Sequence, residues 1–314
     1  MPGEVLIRQL EYLAALARER HFARAAAACH ASQPALSAAI RKLESELGVT
    51  IVLRGHRFEG FTPEGERVVG WAHRIVAERD ALRADLTRMR GGLTATLRIG
   101  AIPTAVPASS LLTEQFCVRH PQATVRVEVA SSRDIVRRLA EFDVDVGLTY
   151  LDSDTTAGLL GTPLYREHYL LLTPSDGRFA DRHSVSWTEA VGLPQCALTR
   201  EMQNRRILDG IVASAGGELR PVIETDTVAA LYGHVATRRW SCIIAHAWLY
   251  AFGVPPGMRA ISLTPQAHGP RVGVVRADRQ PESIVARALL DAISDVDVSA
   301  VLDKVLADVQ NTLG

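Results

Sequence analysis

The sequence predicts an α+β protein of several domains: a small helical unit, then one long helix, then an alternating α/β region filling the rest of the chain. Three observations carry that reading. Apolar residues recur at helical spacing through the first 60 positions, interrupted by tight breaks. A seven-residue apolar repeat then runs from Val68 to Met89. From residue 94 onward, short β-branched runs alternate with helical ones, the pattern of a mostly parallel sheet flanked by helices. At roughly 100–200 residues per domain, 314 residues suit two or three such units.

Leu6, Leu10, Leu13 and Leu16 mark the first helix. Phe22 opens a second, built from the small residues Ala23 to Cys29 with one arginine, and His30-Ala31-Ser32 breaks it. Ser32-Gln33-Pro34 starts a third: serine is a good N-cap, and proline fits a first turn because its missing N–H has no partner there anyway. Leu36, Ile40, Leu43 and Leu47 form its apolar face, and Gly48 ends it. Ile51-Val52-Leu53 and Phe58 to Phe61 flank Arg54-Gly55-His56-Arg57 as a small hairpin. Thr62-Pro63 then caps the long helix. Its seam, Val68, Ala72, Ile75, Arg79, Leu82, Leu86 and Met89, alternates steps of four and three with one charged member. Such a seam predicts a partner helix and hence a homodimer through 62–90. Gly91-Gly92 stops it and makes a hinge.

The α/β region reads as strands at 97–101, 124–130 and 144–150 with helices at 107–119 and 133–142 between them. A second set follows, with strands at 168–173, 196–199, 222–225 and 241–245 and helices near 186–191, 203–215 and 227–237. A strand at 271–276, a helix at 281–293 and an amphipathic tail at 297–313 complete the pattern, with His246 and Trp240 expected to pack near a strand end.

Composition narrows the function. Hydrophobic residues make up 47% and charged residues 22%, which supports folded cores and argues against disorder. Thirty-five basic residues balance thirty-five acidic ones, so nucleic acid must be held by a local surface and not by a global field. Residues 1–90 carry 14 basic and 11 acidic side chains. No stretch approaches the ~18 apolar residues of a membrane span, and Met1-Pro2-Gly3-Glu4 does not open a leader peptide. A cytoplasmic location is expected. Cys29, Cys117, Cys196 and Cys242 lie far apart without a Cys-x-x-Cys pair and read as free thiols in a reducing compartment. No metal, cofactor or catalytic residue is expected.

Residues 22–44 carry the functional argument. Ala25, Ala26 and Ala28 let two helices cross closely, His30-Ala31-Ser32 supplies a turn, and Ser32, Gln33, Ser37 and Arg41 lie on or near the exposed side of the following helix. Gln and Arg can pair bidentately with adenine or guanine edges. By spacing alone, a helix-turn-helix and an ordinary helical hairpin with a solvated polar face both fit. The wording separates them. Phe22-x-x-Ala25-Ala26, Ser32-Gln33-Pro34-Ala35-Leu36-Ser37, Ile40-Arg41-Lys42-Leu43-Glu44-x-x-Leu47-Gly48 and Phe61-Thr62-Pro63-Glu64-Gly65 closely resemble the LysR-type transcriptional regulators. The match is dense over residues 6–65, and the layout agrees to the end of the chain.

The resemblance implies an N-terminal winged helix-turn-helix (1–61), a linker and dimerisation helix (62–92) and a two-lobed α/β effector domain like a periplasmic binding protein (93–314). Lobe I would span about 93–162 and 269–296, lobe II about 163–268, with a C-terminal helix at about 297–313. It implies double-stranded operator DNA as partner, read by the helix carrying Ser32, Gln33, Pro34, Ser37 and Arg41. Arg54 and Arg57 would stand on the wing. Dimers of this kind commonly pair into a homotetramer, and RNA polymerase is a further partner the class allows. Two departures stand out: Ala38-Ala39 follows Ser37 where many members have a polar or basic residue, and Val52-Leu53-Arg54 replaces the usual Phe-x-Arg.

In the resembled fold an effector binds between the lobes, where free N–H groups at helix N-termini suit anions. The corresponding positions here are Thr104, Ser131, Ser132, Thr149 and Thr199, with Arg205 adding charge. Each hydroxyl taken alone reads better as an N-cap; their coincidence at the positions the resemblance marks predicts a pocket for a small carboxylate or oxyanion. The wording also resembles LysR regulators associated with formate dehydrogenase genes, which makes formate a candidate. Two rival readings are an enzyme with its cleft between the lobes and a cytoplasmic ligand-binding protein. The enzyme lacks any Gly-x-Gly-x-x-Gly, Gly-x-x-x-x-Gly-Lys, His-Glu-x-x-His or Gly-x-Ser-x-Gly signature, and residues 1–90 have no place in a plain binding protein.

Overall fold

The structure, a computed structural model of the chain, describes residues 5–54, 58–152, 154–267, 269–278 and 282–311. It divides into two units, Met1–Thr94 with Ala140–Asp143, and Ala95–Leu139 with Val144–Gly314.

The first unit begins with α1 (Ile7–Glu19), α2 (Phe22–Ala28) and α3 (Gln33–Leu47). Caps set their boundaries. The His21 imidazole accepts from the N–H groups of Ala23 and Arg24 at the start of α2. His30, at φ 50°, turns the chain through the left-handed region between α2 and α3. The Ser32 hydroxyl accepts from the Ala35 N–H, and Gly48, at φ 68°, closes α3. The wing is β1 (Val52–Arg54) against β2 (Phe58–Phe61), antiparallel. The Glu44 carboxylate ties it to α3 by accepting from the N–H groups of Ile51 and Val52 at 2.9 and 3.0 Å. Leu10, Leu13, Leu16, Ala25, Ala26, Leu36, Ile40, Leu43 and Ile51 form one core. Leu6 does not join it: it precedes α1 and is exposed.

α4 (Pro63–Gly91) is capped by Thr62, whose hydroxyl accepts from the Gly65 N–H and donates to the Thr50 carbonyl. Gly65 is required by packing, because a Cβ there would stand 2.1 Å from the Ile51 carbonyl oxygen. The expected heptad seam splits. Ala72 is buried in the unit's own core alongside Val69, and Arg79 pairs with Glu11 of α1. Ile75, Leu82 and Leu86 are exposed and line up with Trp71, which is 58% exposed beneath the Arg74 guanidinium. The side chain of Met89 lies outside the described residues.

Among the described residues the second unit holds two larger sheets and a two-stranded one. The first contains β3 (Thr96–Ala101), β4 (Thr124–Val129), β5 (Val146–Tyr150), β6 (Leu159–Arg166) and β13 (Arg271–Ala277) in the order β4-β3-β5-β13-β6. α5 (Val106–Arg119), α6 (Ser132–Ala140) and α11 (Ile284–Ile293) belong to this lobe. β3 is parallel to β4 and β5, whereas β13 is antiparallel to β5 and β6. The sheet is therefore less parallel than expected. β6 was not foreseen because Gly161 and Pro163 interrupt its sequence; an edge strand tolerates both.

The second sheet has the order β11-β7-β12-β8, from β7 (Tyr169–Pro174), β8 (Ser184–Ser186), β11 (Cys242–Ala245) and β12 (Met258–Thr264). β9 (Cys196–Leu198) and β10 (Ile223–Thr225) form a parallel pair joined to β11 through a Gln195–Ser241 bridge. The associated helices are α7 (Trp187–Val191), α8 (Gln203–Ser214), α9 (Val228–Val235) and α10 (His246–Phe252). β8, β12 and α10 were also unexpected; α10 is short and mostly apolar and reads like a continuation of β11. α12 (Val298–Asn311) packs on α10, β12 and β6, touching both lobes.

Candidate functional site

In the first unit, Leu36, Ile40 and Leu43 anchor α3, which turns its other side to solvent. Gln33, Pro34 and Arg41 are exposed and Ser37 is half-buried; Gln33, Ser37 and Arg41 have no hydrogen-bond or ionic partner among the described residues. Ser32 is exposed, with its hydroxyl engaged as the cap. Arg54 is the last residue of β1; Arg57 lies outside the described residues. α3 thus presents two unengaged bidentate donors, an arrangement suited to a groove.

In the second unit, a cleft of about 1040 Å³ opens where β3, β4, β5 and β9 end and α6 and α8 begin. Thr104, Ser131 and Ser132 line it. Thr104 is buried with its hydroxyl 3.0 Å from that of Tyr150. Ser131 stands at the rim, capping α6 through the Asp134 N–H and donating to the Asp134 carboxylate, which holds that carboxyl below its usual range. Thr149 sits behind the wall and donates to the Ser132 hydroxyl at 2.8 Å.

Two further expected residues do not line the cleft either. The backbone N–H of Thr199 bonds to the Thr225 carbonyl, its hydroxyl serves Glu201, and it does not line the cleft. Arg205, 1% exposed, points away: it bonds to Asp209, Glu224 and the carbonyls of Leu198 and Leu219. Helical period explains this, because Arg205, Leu208 and Val212 share the buried face of α8, while Gln203, Arg206 and Ile207 turn to the cleft. The cations at the cleft are Arg206, whose guanidinium donates to the Arg200 and Glu201 carbonyls, and Arg133, which has no partner among the described residues. No side chain caps α8, leaving its first N–H groups for a ligand.

Behind the inner wall lies a buried polar chain that sequence alone did not reveal. Tyr150 accepts from the Asn204 amide at 3.3 Å and donates to Glu167 at 3.3 Å; Tyr169 donates to the other Glu167 oxygen at 2.7 Å. Glu167 is fully buried and has no cationic partner among the described residues; burial pushes its carboxyl up to about 7 against the lowering effect of the two tyrosines. The same burial, with the nearby Glu167 charge, raises the Tyr150 hydroxyl well above its ordinary value. The Asn204 carbonyl oxygen is buried without a partner. Only the density of tyrosines around one glutamate, at 150, 165 and 169, hinted at the chain.

An exposed polar helix on one unit and a polar cleft in the other fit the class of DNA-binding transcription regulators with an effector domain. Comparison with known proteins agrees. Residues 7–66 match the bacterial regulatory helix-turn-helix protein of the lysR family, and residues 90–297 match the LysR substrate binding domain. The chain belongs to the LysR family of transcriptional regulators.

It is 35% identical over 189 residues to the DNA-binding transcriptional dual regulator OxyR of Escherichia coli (strain K12), 59% of this chain and 61% of that protein. It is 33% identical over 204 residues to a probable hydrogen peroxide-inducible genes activator of Streptomyces viridosporus, 65% of this chain and 62% of that one. The matched stretches thus span about three-fifths of these relatives' length. Among solved structures, a variant of full-length OxyR from Pseudomonas aeruginosa superposes with a TM-score of 0.73 at 25% identity, covering 95% of this chain and 97% of that one. Full-length CbnR complexed with its target DNA has the same fold, with a TM-score of 0.65 at 18% identity over 92% of this chain and 99% of that one.

Proposed function

We propose that α3 enters the major groove of a double-stranded operator and that the cleft takes a small organic carboxylate whose occupancy changes operator binding. The carrying observation is Arg133, an unengaged guanidinium on the rim, facing a cleft that also holds the uncapped start of α8 and the buried Thr104 hydroxyl. A cleft of about 1040 Å³ favours a carboxylate larger than formate. The exposed apolar stripe Trp71, Ile75, Leu82 and Leu86 on α4 supports a second copy of the chain as the dimer partner, with a tetramer built from two such dimers.

The Streptomyces viridosporus relative is named a probable hydrogen peroxide-inducible genes activator. Thiol chemistry with peroxide needs an accessible thiolate. Among the described residues no cysteine lines this cleft, and burial pushes the Cys196 thiol up to about 11 and that of Cys242 well above its ordinary value. The cleft therefore supports reversible ligand binding better than thiol oxidation.

Thermal unfolding against formate, acetate, benzoate, sulfate and nitrate tests the carboxylate. A ligand at 100 times its Kd adds about 2.7 kcal/mol of stability. A selective shift with a carboxylate, together with altered affinity for the promoter fragment upstream of the chain's own gene, supports the reading. No shift with any carboxylate removes it.

A further inference from the structure

We propose that Glu167 couples carboxylate binding in the cleft to the uptake of one proton, through the hydrogen-bonded chain Glu167–Tyr150–Thr104. The proposal rests on the carboxylate reading above and adds a positioning residue that does not itself touch the ligand.

The direction of the hydrogen bonds carries the inference. With Glu167 ionised, its two oxygens accept from the hydroxyls of Tyr150 and Tyr169. Tyr150 has then given away its only proton, so its oxygen accepts from the Asn204 amide and from the Thr104 hydroxyl 3.0 Å away. Towards the cleft, Thr104 offers only lone pairs. The carbonyl oxygen of Asn204, another residue of the cleft lining, is buried without a partner. That inner end repels a carboxylate.

A proton on Glu167 reverses the chain. The acid donates to the Tyr150 oxygen while its other oxygen still accepts from Tyr169. The Tyr150 proton swings to Thr104, and the Thr104 proton is released to donate into the cleft. The Thr104–Tyr150 and Tyr169–Glu167 distances of 3.0 and 2.7 Å suit a hydrogen bond in either direction, and the Tyr150–Glu167 contact, at 3.3 Å, is the long link that protonation of Glu167 would tighten. The bound anion brings one negative charge, the proton taken from solvent cancels one, and the net charge of the site is unchanged.

The surroundings of Glu167 suit this role. Tyr150 faces it from β5 and Tyr169 from β7, and Tyr165 of β6 feels its charge. The crossover at Gly269-Pro270 contributes only backbone: the Glu167 N–H donates to the Pro270 carbonyl, and a Cβ at Gly269 would stand 2.1 Å from the Glu167 carbonyl oxygen. His168, the next residue, bonds to Gln266 and faces Asp303. No guanidinium or ammonium among the described residues neutralises the carboxylate, so its protonation is set by burial and by these hydroxyls. The resulting value of about 7 lies where cellular pH changes act on it.

Calorimetry with acetate and benzoate, run from about pH 6 to 8 in two buffers of different ionisation heat, tests the coupling. The wild-type chain should take up close to one proton per ligand above pH 7, with Kd rising towards tenfold per pH unit. Glu167→Gln, a neutral mimic of the acid, should take up none and bind at pH 8 as the wild type does at pH 6. Tyr150→Phe, which cuts the chain, should also lose the pH dependence, and decides the matter if Glu167→Gln fails to fold. Infrared difference spectra should show a carboxylic acid band appearing on binding in the wild type and missing in Glu167→Gln. Binding with no proton uptake in the wild type would overturn the coupling and leave the carboxylate reading intact. No carboxylate binding at any pH would overturn both.

Discussion

Arg205 and Arg206 are neighbours in sequence with opposite surroundings. The first is a buried tie between α8 and the strands behind it; the second stands at the mouth of the cleft. Arg205→Ala should therefore cost about 2–5 kcal/mol of unfolding free energy in denaturant titrations, because two carbonyls and two carboxylates lose their partner, and should leave carboxylate affinity unchanged. Arg133→Ala should do the reverse, weakening benzoate binding by about 1.5–3 kcal/mol at unchanged stability. On α3, Arg41→Ala should weaken operator binding by about 1–3 kcal/mol in anisotropy titrations, with no change in the oligomer. At this scale Thr104, Ser131 and Ser132 line the cleft where strand ends and caps, which are local features, pointed, whereas Thr149 lies behind its wall and Thr199 outside it. Which arginine turns inward depended on the phase of one helix, visible in the spacing of Leu208 and Val212 but easily passed over beside two adjacent cations.

Elements set by local chemistry were the easiest to read. Ser32, Thr62 and Gly48 punctuate α3 and α4 where capping rules place them. Elements held by distant partners were harder: β6 pairs only with β13, more than a hundred residues further along. α4 lies between these cases. Its length was plain, but its apolar residues serve two surfaces, one packed on α1 and one left exposed. Leu36→Ala, on the buried face of α3, should cost about 2–5 kcal/mol. Leu82→Glu, at a residue 60% exposed on α4, should leave the core intact yet shift sedimentation towards the monomer.

For the whole molecule, two buried groups set opposing pH trends. Burial lowers His246 from 6.5 to about 4, so the folded chain holds fewer protons than the unfolded one in that window. Its contribution is fully present above pH 6.5 and is lost as pH falls towards 4. Glu167 is raised from 4.5 to about 7, so its contribution is present below pH 4.5 and is lost as pH rises through 7. Denaturant midpoints should accordingly show an acid limb that flattens in His246→Gln and a neutral decline that flattens in Glu167→Gln.

The position of β13 has a consequence for synthesis. This strand fills the gap between β5 and β6, yet it lies at Arg271–Ala277, after the whole of the second sheet. A chain leaving the ribosome can complete its helix-turn-helix early and can pair β7, β11 and β12 before the first sheet closes. Until residue 277 emerges, β5 lacks one neighbour and β6 lacks any, two open edges on a nascent protein whose DNA-binding unit is already made. A chain halted at residue 267 should therefore expose β5 and β6 to proteolysis while protecting α1–α3, and equal protection of both would show that the first lobe closes without its last strand.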